Sequence, residues 1–239
     1  MLLALLLGLT AAAANILGGL FILYRNWSRQ YLKYFLALGA GFMLAASLLE
    51  ILPESVSLTG NSAYLIALVG YFIVHFFEHT LAPHFHFGEE THVEEFVPGH
   101  AGISALLGLS IHTFFDGVAI ASGFLVSGWL GSIIFLAIAL HKIPEGFTVA
   151  SLMLASGQSR RIGLYASIWL GIATVAGVLL MGILHSQVGY ALPISAGVTL
   201  YVAATDLVPE VNREPDARMA LLVFAGVALM LLLGKLFRF

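Results

Sequence analysis

An all-α polytopic membrane protein of eight transmembrane helices is the fold the sequence predicts, and three observations predict it. The chain is 60% apolar and 10% charged, with a mean hydropathy of +0.98, whereas a soluble globular domain carries roughly 25% charged residues. Apolar runs at 1–23, 62–82, 101–126 and 217–237 are each long enough for a hydrocarbon core, which takes about 20 residues to cross. Charged or turn-rich breaks at 25–33, 54–61, 83–100, 126–129, 157–161, 185–187 and 209–216 leave eight such segments. Residues 1–239 therefore read as a single transmembrane domain, with no independent soluble unit.

The first segment lacks a basic leading region, and its apolar run exceeds the roughly 7–15 residues of a signal-peptide core, so it reads as helix 1. The long loop at 83–100 is the only sizeable excursion, and the eight segments read as 3 + 2 + 3. Basic residues prefer the cytoplasmic side. Arg25, Arg29, Lys33, Arg160, Arg161, Arg213 and Arg218 fall on one side of the alternating loops, against Lys235 and Arg238 on the other. This places both termini outside and the 83–100 loop in the cytoplasm, in a protein of the plasma (inner) membrane. The chain has no cysteine, so a bound metal must be held by nitrogen, oxygen or methionine sulfur.

Two internal correspondences organise the chain. GFMLAASLLEILPE (41–54) aligns without a gap with GVTLYVAATDLVPE (197–210), matching Glu50 with Asp206, Pro53 with Pro209 and Glu54 with Glu210. With the topology above, the second and seventh helices run in opposite directions. The repeat, helices 1–3 against 6–8, is then inverted, a signature of secondary transporters. Glu50 and Glu54 are expected at one mouth of a pathway, and Asp206 and Glu210 at the other. The second correspondence pairs HTFFDG (112–117) on helix 4 with HKIPEG (141–146) on helix 5. In each, a histidine and an acid four residues on share one helix face.

His112 and His141 lie about 12 residues into their helices, which at ~1.5 Å per residue is roughly 18 Å deep, near the bilayer midplane. Ionisable groups there cost several kcal/mol each and are functional candidates by default. Two imidazoles and two carboxylates at one depth make a nitrogen/oxygen site suited to Zn²⁺, Fe²⁺, Co²⁺ or Mn²⁺, and the two carboxylates balance the dication. Pro144 removes the helical partner of the Leu140 carbonyl, opening a further oxygen ligand or a hinge. The bland alternative is a polar cluster that only joins helices 4 and 5.

Helices 4 and 5 resemble the paired metal-binding motifs of the ZIP (Zrt/Irt-like) family of divalent-metal transporters, which read H-N-x-x-E/D-G and H-E/D-x-P-x/E. The likeness extends to the eight helices, the outside termini, the histidine-rich loop between helices 3 and 4, and the L-P-E ending of helix 2. It implies transport of a divalent transition metal as substrate, zinc first, with iron, manganese, cobalt or cadmium as alternatives, into the cytoplasm. It implies His112, Asp116, His141 and Glu145 as ligands of the transport site, with Met43 as a soft ligand from helix 2. Two positions depart from the motifs: Thr113 stands where the family often has Asn, and Lys142 where it often has an acid. Helix 6 offers no glutamate between Ile162 and Leu184. A second, bridged metal is therefore not expected, and Lys142 is expected to pair with a carboxylate or to occupy the space a second cation would fill.

The 83–100 loop carries His84, His86, His92 and His100 among four glutamates, after His75, Glu78 and His79. It reads either as a solvated acidic loop or as a labile metal-collecting segment, with the density of histidines favouring the second. The expected partners are the metal ion, membrane lipid and a second copy of the chain, for which Gly163, Ala166 and Gly171 offer small-residue contacts; nucleic acid is not among them. The competing readings are an intramembrane metal-dependent hydrolase and a carrier that uses no metal. The H-x-x-x-D and H-x-x-x-E spacings differ from HExxH, and acids at both mouths of an inverted repeat suit a transporter rather than an enzyme.

Overall fold

The computed structural model describes residues 1–24, 29–81, 101–213 and 216–237. Among these are eight helices carrying apolar spans of 19 to 28 residues, long enough to cross a membrane. They are α1 (Leu2–Tyr24), α2 (Arg29–Ala46, continuing to Thr59), α3 (Ser62–Leu81), α4 (Ala101–Val126), α5 (Gly128–Ala155), α6 (Arg160–Ile183), α7 (Val188–Tyr201, continuing to Asn212) and α8 (Ala217–Phe237). The 83–100 loop, with His84, His86, His92 and His100, lies outside the described residues.

The helix ends show why the sequence breaks where it does. Ser127 and Ser159 are extended N-caps whose hydroxyls accept from the N–H groups of Leu130 and Ile162, three residues on in the first turn of α5 and α6, satisfying N–H groups a helix leaves open. After α5, Gly157 takes a φ of 82°, its N–H bonds the carbonyl of Leu154, and the N–H of Gln158 bonds that of Met153. This is the glycine-terminated double bond of a Schellman end. The expected breaks at 54–61 and 209–216 come later than the charge pattern indicated, because Glu54 and Glu210 stay helical and α2 and α7 continue to Thr59 and Asn212.

Both continuations pass through a π-helical turn, Ser47–Ile51 in α2 and Val202–Leu207 in α7. The N–H of Leu52 bonds Ser47 O, and that of Val208 bonds Ala203 O, so the two wide turns occupy matching positions just before Pro53 and Pro209. The π-turn of α2 packs on the first part of α7, the π-turn of α7 packs on the first part of α2, and Ser47 Oγ donates to Ala196 O at 2.9 Å. The two segments therefore run antiparallel.

Helix packing rests on glycines at which a neighbour's backbone occupies the place of a side chain. A Cβ on Gly41 would lie 1.9 Å from Val223 O, and one on Gly197 1.8 Å from Ala67 O; Gly226 stands so against Leu38 O and Gly70 against Ile194 O. Every number in the α2–α8 contacts differs by 156 from its counterpart in the α7–α3 contacts: 41 and 197, 67 and 223, 38 and 194, 70 and 226. The other four helices behave alike. Gly146 meets Asn15 O and Gly18 meets Ile143 O, while Gly117 meets Thr174 O and Gly177 meets Phe114 O. These contacts pair α1 with α6 and α4 with α5 as equivalents.

In space the helices form two groups, α1, α4, α5 and α6, and α2, α3, α7 and α8, which meet mainly where α5 packs on α2 and α4 packs on α7 and α3. The glycine seams lie within the groups. Across the α2–α5 contact, by contrast, a Cβ on Gly39 would meet Leu140 Cβ at an ordinary 3.5 Å. Gly163 and Gly171, expected to serve contacts with a second copy, face Ala150 and Ala12 of the same chain, and Ala166 is buried. They are small because α5 and α1 pass close by.

Because each seam is backbone against backbone, neither side can yield by turning a rotamer. Gly41→Ala and Gly197→Ala should each lower thermal stability by an overpacking cost of about 1–3 kcal/mol, and to a similar degree. Gly128→Ala, whose Cβ meets nothing within 4 Å, should leave the melting temperature unchanged or raised. Unshifted melting of both seam variants would contradict the packing.

Candidate metal centre

Four buried side chains from two neighbouring helices converge. His112 and Asp116 come from α4 and His141 and Glu145 from α5, each pair one turn apart, and one ligand atom from each lies within 4.8 Å of all the others. The Nε2 of His112 is 3.5 Å from Asp116 Oδ2 and 3.7 Å from Glu145 Oε2, and the Nε2 of His141 is at the same two distances. Bonds of ~2.1 Å from a central zinc to four ligands would set the tetrahedron's edges at about 3.4 Å, so these nitrogen–oxygen edges are close to the spacing such an ion requires.

The electrostatics point the same way. Both Nε2 atoms are buried without a hydrogen-bond partner among the described residues, which is costly unless another group satisfies them. The Nδ1 of His141 lies 3.2 Å from Ala137 O; an Nδ1–H donated to that carbonyl leaves Nε2 as the free lone pair a metal needs. Lys142 is fully buried and its Nζ lies 2.7 Å from Asp116 Oδ2 and 2.6 Å from Glu145 Oε2. The same two oxygens that face the imidazoles thus hold an ammonium. Thr113 donates to Glu145 Oε1, and Asn15 of α1 directs Nδ2 to that oxygen at 3.4 Å. Asn15 was invisible to motif reading. The only signal was a lone amide in an otherwise apolar first helix.

Pro144 sits inside an uninterrupted α5, so it opens no break at the site. Met43 is fully buried in the apolar cluster that includes Leu109 and Ala137, each about one turn from a site histidine. It follows Gly39, which packs on Leu140 and His141, by one turn of α2. The acids of the repeat do not join the four-residue cluster. Glu50, Asp206 and Glu210 are buried and Glu54 is half-buried. Glu50 sits in the π-turn of α2 and lines a cleft of about 520 Å³ with Gly234 and Lys235 of α8. Asp206 sits in the π-turn of α7, with neither carboxylate oxygen hydrogen-bonded among the described residues, and Glu78 of α3 is within electrostatic reach. Glu210 pairs with Arg213 at 3.4 Å.

A bundle of membrane-length helices that buries two histidines, two acids and a lysine at one level defines a class, polytopic membrane proteins with an intramembrane polar site of metal-ligand type. The family described as ZIP zinc transporter matches residues 99–234, more than half of the chain and both motif helices. The chain belongs to that family. It is similar to the zinc transporter ZupT of Salmonella heidelberg (strain SL476), 34% identical over 130 residues that make up 50% of this chain and 49% of the relative. It is likewise similar to the zinc transporter ZupT of Salmonella newport (strain SL254), 33% identical over 126 residues, 48% of each. The chain thus spans about half the length of the relatives it matches.

Lys142 offsets two buried carboxylates, so its loss should cost most when no other cation is present. Lys142→Met should be destabilised by about 3–5 kcal/mol in chelator, and zinc should restore much of that. Equal melting shifts with and without zinc would show that the ammonium and the ion do not share the same oxygens.

Proposed function

We propose that this protein carries a divalent transition-metal ion across a membrane, zinc foremost, with iron, manganese, cobalt and cadmium as alternatives. One observation carries the reading: four buried ligand atoms lie within 4.8 Å of one another with histidine–carboxylate spacings of 3.5 and 3.7 Å, and the two imidazole Nε2 atoms have no hydrogen-bond partner among the described residues. The relatives are named zinc transporters, which supports the choice of metal. A hydrolytic zinc keeps three protein ligands and an open position for water; four converging side chains with an ammonium on the carboxylates favour passage over hydrolysis.

The ion enters at Glu50 and Glu54, is held by His112, Asp116, His141 and Glu145, meets Met43 as a soft ligand in passage, and leaves past Asp206 and Glu210 towards the cytoplasm. The loop charges support a plasma (inner) membrane protein with both termini outside, and the 156-residue offset of the glycine contacts supports an inverted 3 + 2 + 3 repeat. The site rides on α4 and α5, whereas the acids of both mouths ride on α2 and α7 of the other group. Motion of one group against the other, across contacts such as α2–α5 where Gly39 meets Leu140 at an ordinary 3.5 Å, would expose the site to each mouth in turn. His84, His86 and His92 of the 83–100 loop collect metal loosely on the cytoplasmic side. Lipid surrounds the bundle, and a second copy would use faces other than the small residues of α6.

Purified protein in proteoliposomes should take up zinc saturably. His112→Ala, His141→Ala and Glu145→Ala should each abolish that uptake without unfolding the chain, and near-normal uptake by these variants would refute the assignment. Glu50→Gln and Asp206→Asn should mainly raise KM, since they act on cation capture. Elemental analysis of protein lacking the loop histidines should find one ion at the site, because Lys142 repels a second dication strongly in a low-dielectric interior. Lys142→Asp should admit two.

A further inference from the structure

Glu145 is gripped from three directions. Lys142 of its own helix takes Oε2 at 2.6 Å, Thr113 of α4 donates to Oε1, and Asn15 of α1 brings its amide nitrogen to that same Oε1 at 3.4 Å. Asn15 is fully buried. Its orientation follows from chemistry, since only the NH₂ end of an amide can face a carboxylate. Its position is fixed at backbone level: Asn15 O stands 1.9 Å from where a Cβ on Gly146 would be, and Gly18, one turn on, meets Ile143 O in the same way.

A free carboxylate can ligate through one oxygen or both. Glu145, with Oε1 already accepting from two helices, has only Oε2 to offer, and Oε2 is the oxygen that faces both histidines at 3.7 Å. With Asp116 Oδ2 and the two Nε2 atoms this makes four donors. Four suits zinc; manganese prefers six, mostly oxygen. The equivalent position on α6 is Thr174, whose carbonyl packs on Gly117 beside Asp116, but its hydroxyl turns back to Leu170 O at 3.3 Å. The clamp is thus built on one carboxylate of the pair.

Resting on the metal-transport reading, we propose that Asn15 is a positioning residue that, with Thr113, holds Glu145 to one-oxygen ligation and so sets the site for a four-coordinate ion over a six-coordinate one. Losing the clamp frees Oε1 to join the ion as a fifth donor, and a water then completes six.

The test uses the purified full chain with Co²⁺ as probe, whose visible absorption weakens as coordination rises from four to six. Spectra are read as the difference from His141→Ala, which keeps every other histidine. The wild type should show the strong four-coordinate bands. Asn15→Leu and Thr113→Val should each weaken them and lower the Zn²⁺ over Mn²⁺ affinity ratio roughly tenfold, whereas Thr174→Val should change neither. A clamp that were merely structural would lower both affinities together and leave the bands in place. If Asn15→Leu does not fold, the near-isosteric Thr113→Val decides. Wild-type protein that binds neither Co²⁺ nor Zn²⁺ at this site would overturn the transport reading and the clamp together. Normal wild-type binding, with unchanged bands and an unchanged ratio in the variants, would overturn the clamp alone.

Discussion

Burying ionised groups in an apolar interior is expensive, and the core of this protein is arranged around that cost. His112, Asp116, His141, Lys142 and Glu145 are all excluded from solvent at one level of the bundle. An isolated charge there would be prohibitive. Lys142 between two carboxylates offsets much of it, and Thr113 and Asn15 supply further donors to Glu145. What this network leaves unsatisfied is informative: the imidazole Nε2 atoms have no hydrogen-bond partner among the described residues. A cation that took the carboxylate oxygens would satisfy them as well.

Holding such a network in register requires the surrounding helices to be placed closely. Between membrane helices apolar association gives little drive, and packing depends on small residues that let backbones approach. The glycine seams supply that approach, and Gly117 and Gly146 stand directly after the acids Asp116 and Glu145. The residue that makes each motif end in glycine is thus the one that lets α6 or α1 close over the site. The same device locks α2 to α8 and α3 to α7, whereas Gly39 at the α2–α5 contact meets Leu140 Cβ at an ordinary 3.5 Å.

The two halves are alike in backbone and unlike in chemistry. Glu50 and Asp206 share the π-turn register, yet the α8 residue beside Glu50 is Gly234, whereas its counterpart on α3, 156 positions earlier, is Glu78. Lys235 likewise stands opposite His79. Identical halves would give the two acids identical surroundings; these substitutions on α3 and α8 make the surroundings of Glu50 and Asp206 electrically different while leaving the glycine packing that defines the repeat untouched.

Much of this was legible in the sequence because the signals are local. Apolar length fixes the eight helices, i,i+4 spacing puts each histidine with its acid, and Pro53 and Pro209 mark the matched segments. The helix ends at Thr59 and Asn212 were misjudged because charge was read as a break, although a buried or paired glutamate can remain helical. The small residues of α6 looked like an outer contact surface because sequence does not say which face a neighbour covers. Asn15 had no motif at all, since its role depends on α1 lying across Gly146, a contact between residues 131 positions apart. Composition and periodicity determine which groups must be buried and on which helix face; only the tertiary packing decides which of them meet, because pairing energy depends on distances between helices that no local pattern encodes.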